Sequence, residues 1–289
     1  YTSTIFLMLL ALLSISSSPI VARLIDLPAV TISFWRMAFA GLFLWSYSSF
    51  KNDKKDKKDK LSKSSIRKTI IAGTLLGIHF AFFYTAVKLT TIANATILGT
   101  LAPFFTLIME IVVLKRKYKR IIYLGLMLSI IGSVIIMFND ISFSSEHGFG
   151  NLCALICSVC LSISFMIAED VRRTEGTVQF TRLLYSIAAV TLIVISFITL
   201  DNLNISGSYS FLGLIYLGLV PTLLGHNVFY YSLRYITPTI VATIPLGEPV
   251  IASIIASYIF LEVISLNTIL GGSFCIIGIG IILVNRIEK

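Results

Sequence analysis

A pattern of charge, glycine and proline in the first half of this chain returns 146 positions later, in a sequence that is 56% apolar and only 13% charged. Arg36, in Phe34-Trp35-Arg36, is answered by Arg182, in Phe180-Thr181-Arg182, and Pro103 is answered by Pro249. Gly125 and Gly132 have Gly271 and Gly278 as counterparts, and Lys88 and Arg234 each close an aromatic-rich segment at the same offset. Solenoid repeats are far shorter, whereas duplicated membrane units have this spacing.

A membrane span needs about 20 mostly apolar residues. Ten such runs occur, at roughly 2–22, 29–50, 69–88, 91–114, 120–138, 149–169, 177–200, 208–233, 237–261 and 266–285. The first lacks a basic leader and a small-residue cleavage site, so it reads as a span rather than a secretory signal. The net charge of +9 invites a nucleic-acid partner, but the placement of the charges excludes one. When loops are assigned alternately to two sides, one side collects nine Lys/Arg in 51–68, five in 115–120 and two in 170–176, with Arg234, Arg286 and Lys289. The other side holds Arg23 and Lys88. Basic loops stay cytoplasmic, so both termini are expected inside.

Each half then holds five spans, an odd number, and the second must enter the bilayer from the opposite face. The expected fold is an all-α membrane protein of ten transmembrane helices, arranged as two inverted-topology five-helix repeats. Residues 1–138 form the first repeat, 139–148 an acidic external junction with Asp140 and Glu146, and 149–289 the second. Lys51–Lys68, where Lys and Asp interleave too densely for a core, is expected to be a solvated cytoplasmic loop. Pro19, Pro103, Pro221, Pro245 and Pro249 interrupt spans, and the carbonyls they release in lipid need polar partners or a wet cavity. Gly73-x-x-x-Gly77 and the paired glycines of spans five and ten mark close helix contacts, within one molecule or in a homodimer. Cys153, Cys157, Cys160 and Cys275 lie inside spans without metal-site spacing and read as packing residues.

Leu246-Gly247-Glu248-Pro249-Val250, then Leu261-Glu262 and Gly271…Gly278-x-Gly280, resemble the second repeat of the drug/metabolite transporter superfamily, EamA type. Thr100-Leu101-Ala102-Pro103-Phe104-Phe105-Thr106 is similar to the fourth-span signature of its first repeat, and Phe34-Trp35-Arg36 to its second-span start. Where the family often carries a Gly-Glu pair after span four, this chain has Lys115-Arg116-Lys117, and Glu262 keeps that position only in the second repeat. The resemblance implies a carrier of the bacterial inner membrane that moves a small organic metabolite, often an amino acid or related compound and often outward, by alternating access. Import or exchange, a channel, and a sensor that moves nothing are the other readings.

Ionisable residues inside spans are costly and become site candidates by default. Glu248, beside Pro249, suits a substrate ammonium or a cycling proton, or else stabilises the proline break. His79, central in span three, suits a substrate carboxylate or an interhelical hydrogen bond. His226 and Asn227 in span eight line a cavity mouth or pack as polar residues, and Asn94 near the outer end of span four is a further candidate. Tyr84, Tyr231 and Trp35 offer hydroxyls or ring faces to a cavity, or face lipid. Arg36, ~10 Å into span two at the helical rise, either attracts an anion or, with Arg182, ties helices together. Glu110 is expected to pair locally, one turn from Lys115, or to snorkel. No Gly-rich phosphate loop, HExxH or Cys/His cluster is present, so no cofactor, metal or ATP-driven step is expected, and a substrate, proton or ion gradient must drive transport.

Overall fold

A computed structural model of the chain describes residues 2–51, 61–90, 92–137, 145–259 and 266–285, and all regular structure among them is helical. Glu262, Asp140, Arg286, Lys289 and most of the 139–148 junction lie outside the described residues, as does the center of the Lys51–Lys68 segment. Eight helical segments are long and apolar enough to cross a membrane, and two shorter apolar helices, Arg120–Ile135 and Ile269–Val284, occupy the fifth and tenth expected positions. The chain is an integral membrane protein.

The helices are α1 (Thr2–Ser16), α2 (Ser18–Leu24), α3 (Ala29–Lys51), α4 (Lys63–Leu89), α5 (Ile92–Gly99), α6 (Ala102–Val112) and α7 (Arg120–Met137) in the first half. The second half contains α8 (Ser145–Arg172), α9 (Thr177–Thr199), α10 (Ser208–Leu217), α11 (Asn227–Ser232), α12 (Pro238–Thr243), α13 (Glu248–Ile259) and α14 (Leu266–Val284). Proline locates the interruptions, because it has no N–H for the helical ladder and its ring crowds the preceding turn. Pro19 starts α2, Pro103 starts α6, Pro221 sits in a π-helical stretch, Gly218–His226, and Pro245 sits in a 3₁₀ turn, Ile244–Gly247.

The third span begins earlier than its hydropathy suggests. Ser62 caps α4 by accepting from the Ser65 N–H at 3.1 Å, so 63–68 is helix rather than loop. Lys63, Arg67 and Lys68 are exposed there while Ser65 and Thr69 are buried, so the basic face is a solvated flank of a packed helix.

Glycine seams set the helix contacts. A Cβ on Gly73 would meet Leu184 O and Ile187, and one on Gly77 would meet Ala188 O and Thr191, so α4 and α9 run side by side in the same direction at backbone distance. On α7 and α14, Gly125 lies against Gly278 O and Gly132 against Gly271 O, which makes this pair antiparallel. Between them Ser129 meets Cys275, its own counterpart 146 residues on: the Cys275 thiol donates to Ser129 O at 3.2 Å. The sequence offset is thus a physical contact at the center of the seam.

Candidate functional site

The interrupted spans surround a cavity of about 460 Å³, its mouth included. Ser18, Arg36, His79, Thr100, His226 and Glu248 supply its polar lining, and Phe80, Phe83 and Leu161 much of the rest.

Arg36, on α3, is 1% exposed. Its Nε donates to Thr222 Oγ1 at 2.7 Å, and its Nη1 donates to Ser18 Oγ at 2.8 Å and to Tyr84 OH at 2.5 Å. The guanidinium carbon lies 4.3 Å from the centre of the Phe80 ring, a cation–π contact that further offsets the loss of water. Thr222 is available because the π-helical stretch lets its hydroxyl donate to Leu217 O, five residues back, at 2.9 Å while accepting from Arg36. Nη2 is buried without a hydrogen-bond partner among the described residues. Glu248, at the start of α13, is 5% exposed and lines the same cavity, and its carboxylate makes no hydrogen bond or ion pair among the described residues. The cavity therefore offers one unspent cationic donor and one unspent carboxylate.

His79 donates from Nδ1 to Cys157 O at 2.8 Å, which leaves Nε2 as the acceptor of the neutral ring. Its ring is stacked with Phe83 at 6.1 Å and lies 6.3 Å from His226, whose own Nδ1 is buried without a hydrogen-bond partner among the described residues.

The structure does not gather every sequence candidate here. Tyr84 touches the cavity's machinery through Arg36 and through Ser18, at 2.8 Å. Trp35 instead donates to Leu203 O at 2.8 Å, in the loop beyond α9. Asn94 joins Thr90 and Asn151 at the same end of the molecule. Asn227 lies beside His226 but is not a lining residue, and Tyr231 is 36% exposed, packed on Tyr235. Arg182 stacks over Trp45 at 4.5 Å and donates to Ser48 at 2.5 Å, on the seam of α3 and α9. Pro103 and Pro249 occupy the first turns of α6 and α13, where they set the breaks.

Ser18 and Thr222 were not singled out from sequence. Ser18 had a signal: the Ser18–Tyr84 pair recurs as Ser164–Tyr230, at 3.4 Å and with both members at the 146 offset. Arg182 does not enter the second pair, and the counterpart of Thr222 is Leu76, which cannot accept from a guanidinium. Glu110 pairs locally, as expected, but with Arg116 rather than Lys115, and it is wholly buried rather than snorkelling.

The sequence matches the EamA-like transporter family over residues 2–138 and again over 148–284. An uncharacterized transporter of Clostridium kluyveri is 26% identical over 217 residues, 70% of this chain and 67% of that protein. Two uncharacterized transporters of Bacillus subtilis, YwfM and YdfC, are 25% and 27% identical, each over 73% of this chain and 71% of theirs. A crystal structure with 15% identity superimposes with a TM-score of 0.79 over 99% of this chain and 98% of the other, which establishes likeness of fold.

Proposed function

The chain belongs to the EamA-like transporter family, and on that premise we propose that it is a secondary active transporter of a small organic metabolite, an amino acid or related compound. Transport runs by alternating access through the central cavity and outward across a bacterial inner membrane. The observation that carries this reading is that Arg36 Nη2 and the Glu248 carboxylate, both without a hydrogen-bond partner among the described residues, line one cavity. A zwitterion complements both: its carboxylate takes the guanidinium donor and its ammonium the Glu248 oxygen, each by a charge-assisted bond in low dielectric. His79 Nε2 adds an acceptor, and the Phe80 and Phe83 rings add apolar walls.

Ten spans in two inverted five-span repeats are the architecture we assign. The antiparallel α7 and α14 support it, since equivalent helices of inverted repeats must run in opposite directions. Spans one to four rock against six to nine, with α7 and α14 as the support. The basic loops support a cytoplasmic position for both termini, and a proton or substrate gradient supplies the drive.

Uptake of labeled amino acids by proteoliposomes, comparing wild type with Glu248→Gln and His79→Ala, tests the site. The site predicts loss of transport in Glu248→Gln with folding intact. Normal transport by both variants would place the site elsewhere.

A further inference from the structure

Glu110 on α6 is fully buried, and Glu169 on α8 is 2% exposed. Both pair with Arg116, Nη1 on Glu110 and Nη2 at 2.6 Å from Glu169 Oε1. Arg116 reaches them because the chain doubles back after α6: Lys115 adopts a left-handed φ of 55°, and the Arg116 N–H donates to Glu110 O at 3.0 Å. The second oxygen of Glu110 accepts from Tyr118 OH at 2.6 Å, from the Thr239 N–H at 3.1 Å and from the Thr239 hydroxyl. Thr239 lies in the first turn of α12, so its N–H is a helix-end donor with no partner within its own helix. One network, its two carboxylates buried and Arg116 partly so, therefore ties the fourth, sixth and ninth spans on the face that carries Lys115–Arg120.

These charges tune one another. Burial opposes the Arg116 charge, but the Glu169 and Glu110 carboxylates outweigh it and hold the guanidinium above its usual range. Burial, reinforced by Glu110, pushes the Tyr118 phenol up, so it stays a donor. At the opposite face the ties are of another kind. Lys88 donates to Ile25 O at 2.8 Å, and Arg23 donates to Thr90 O at 3.0 Å, both from exposed side chains to main-chain carbonyls.

We infer that Glu110, Arg116 and Glu169 form the gate of the basic-loop face, and that the cavity opens to that face only when this network breaks. The inference rests on reading the cavity as a transport site. α6 begins beside the cavity at Ala102 and ends at the network, while α12 begins at the network and leads to Pro245 and Glu248 in the cavity wall. Parting α6 from α12 therefore opens a path from one to the other. The network is suited to all-or-none opening. Losing Arg116 leaves the buried Glu110 carboxylate without its cation, although Glu169 keeps the half-exposed Arg173 at 3.5 Å, whereas hydrating the network as a whole returns the desolvation cost of its buried members.

The test reads accessibility rather than transport, so failure of the gate is distinguishable from failure of the transport reading. Leu161→Cys, in a background with Cys153, Cys157, Cys160 and Cys275 replaced by Ala, places one thiol in the cavity wall. A charged methanethiosulfonate reagent is added to one face of sealed, oriented vesicles. Arg116→Gln is expected to raise labelling from the basic-loop face by about tenfold, equivalent to ~1.4 kcal/mol of population shift, with no rise from the other face. Lys68→Gln, which breaks the half-exposed Lys68–Asp170 pair on the same face, is expected to change nothing. If Arg116→Gln does not fold, the triple Gln variant at 110, 116 and 169, which leaves no buried charge unpaired, decides. Unchanged labelling in that variant overturns the gate, as does an equal rise from both faces or failure of the triple variant to fold, which would make the network a structural keystone instead.

Discussion

Four neighbours from three segments meet the Arg36 guanidinium in the core: Ser18 on α2, Phe80 and Tyr84 on α4, and Thr222 in the π-helical stretch. Lysine has one point of charge and cannot span Thr222 and the Ser18–Tyr84 pair at once. Arg36→Lys is expected to lower transport efficiency by at least about tenfold, or ~1.4 kcal/mol, with the folded yield preserved, as read by proteoliposome uptake against detergent gel filtration. Thr222→Val keeps the shape but leaves Arg36 Nε buried without an acceptor, which costs about 1–3 kcal/mol. A lower melting temperature in Thr222→Val, restored in Thr222→Ser, is the expected result; equal melting of both would remove Thr222 from the site. Arg36, His79 and Glu248 were legible in the sequence because an ionisable group inside a span stands out. Ser18 and Thr222 were not, because serine and threonine in helices routinely bond their own turn, as Ser16 does to Leu12 O and Thr69 to Ser65 O. Tyr231 and Trp35 stood out as aromatics within spans but lie elsewhere, since composition does not say which side of a helix faces inward.

Among the elements, proline told where the spans break but not how. Pro221 yields a π-helical stretch and Pro245 a 3₁₀ turn, a choice made by neighbours: Thr222 must reach both Leu217 O and Arg36. The start of α4 was hidden because Lys63, Arg67 and Lys68 depress hydropathy while the Ser62 cap and the buried face sustain the helix. Glycine seams were readable, and they separate contact from open space. A side chain at Gly132 would run into the backbone of Gly271 and Cys275, whereas a Cβ at Gly280 meets nothing within 4 Å. Gly132→Leu is therefore expected to destabilise the protein by at least about 1–3 kcal/mol of overpacking, and Gly280→Leu by almost nothing, in thermal unfolding of the purified protein. Similar losses at both positions would contradict the α7–α14 seam.

For the whole molecule, the duplication read from charge and glycine becomes an exchange of contacts. α3 packs on α9 and α7 on α14, each a helix against its own counterpart. The packing of α4 on α8 is mirrored by α1 on the π-helical stretch and α11. The polar site breaks this symmetry, with Arg36 in the cavity and Arg182 on a seam. That divergence was invisible to a periodicity that counts residue types and not their partners. Inverted repeats predict that loops 61–62 and 173–176 are reached by an impermeant reagent from one face, and loops 26–28 and 201–206 from the other. Single cysteines in these loops, labelled in sealed vesicles, check this, and labelling of all four from one face would exclude the arrangement. Counterflow tests most directly whether the cavity carries a solute. Proteoliposomes loaded with a mixed pool of unlabelled amino acids are predicted to accumulate one labelled amino acid transiently above equilibrium, and Arg36→Lys to abolish the overshoot. Folded protein that gives no overshoot with any amino acid, or an overshoot untouched by Arg36→Lys, would contradict the account.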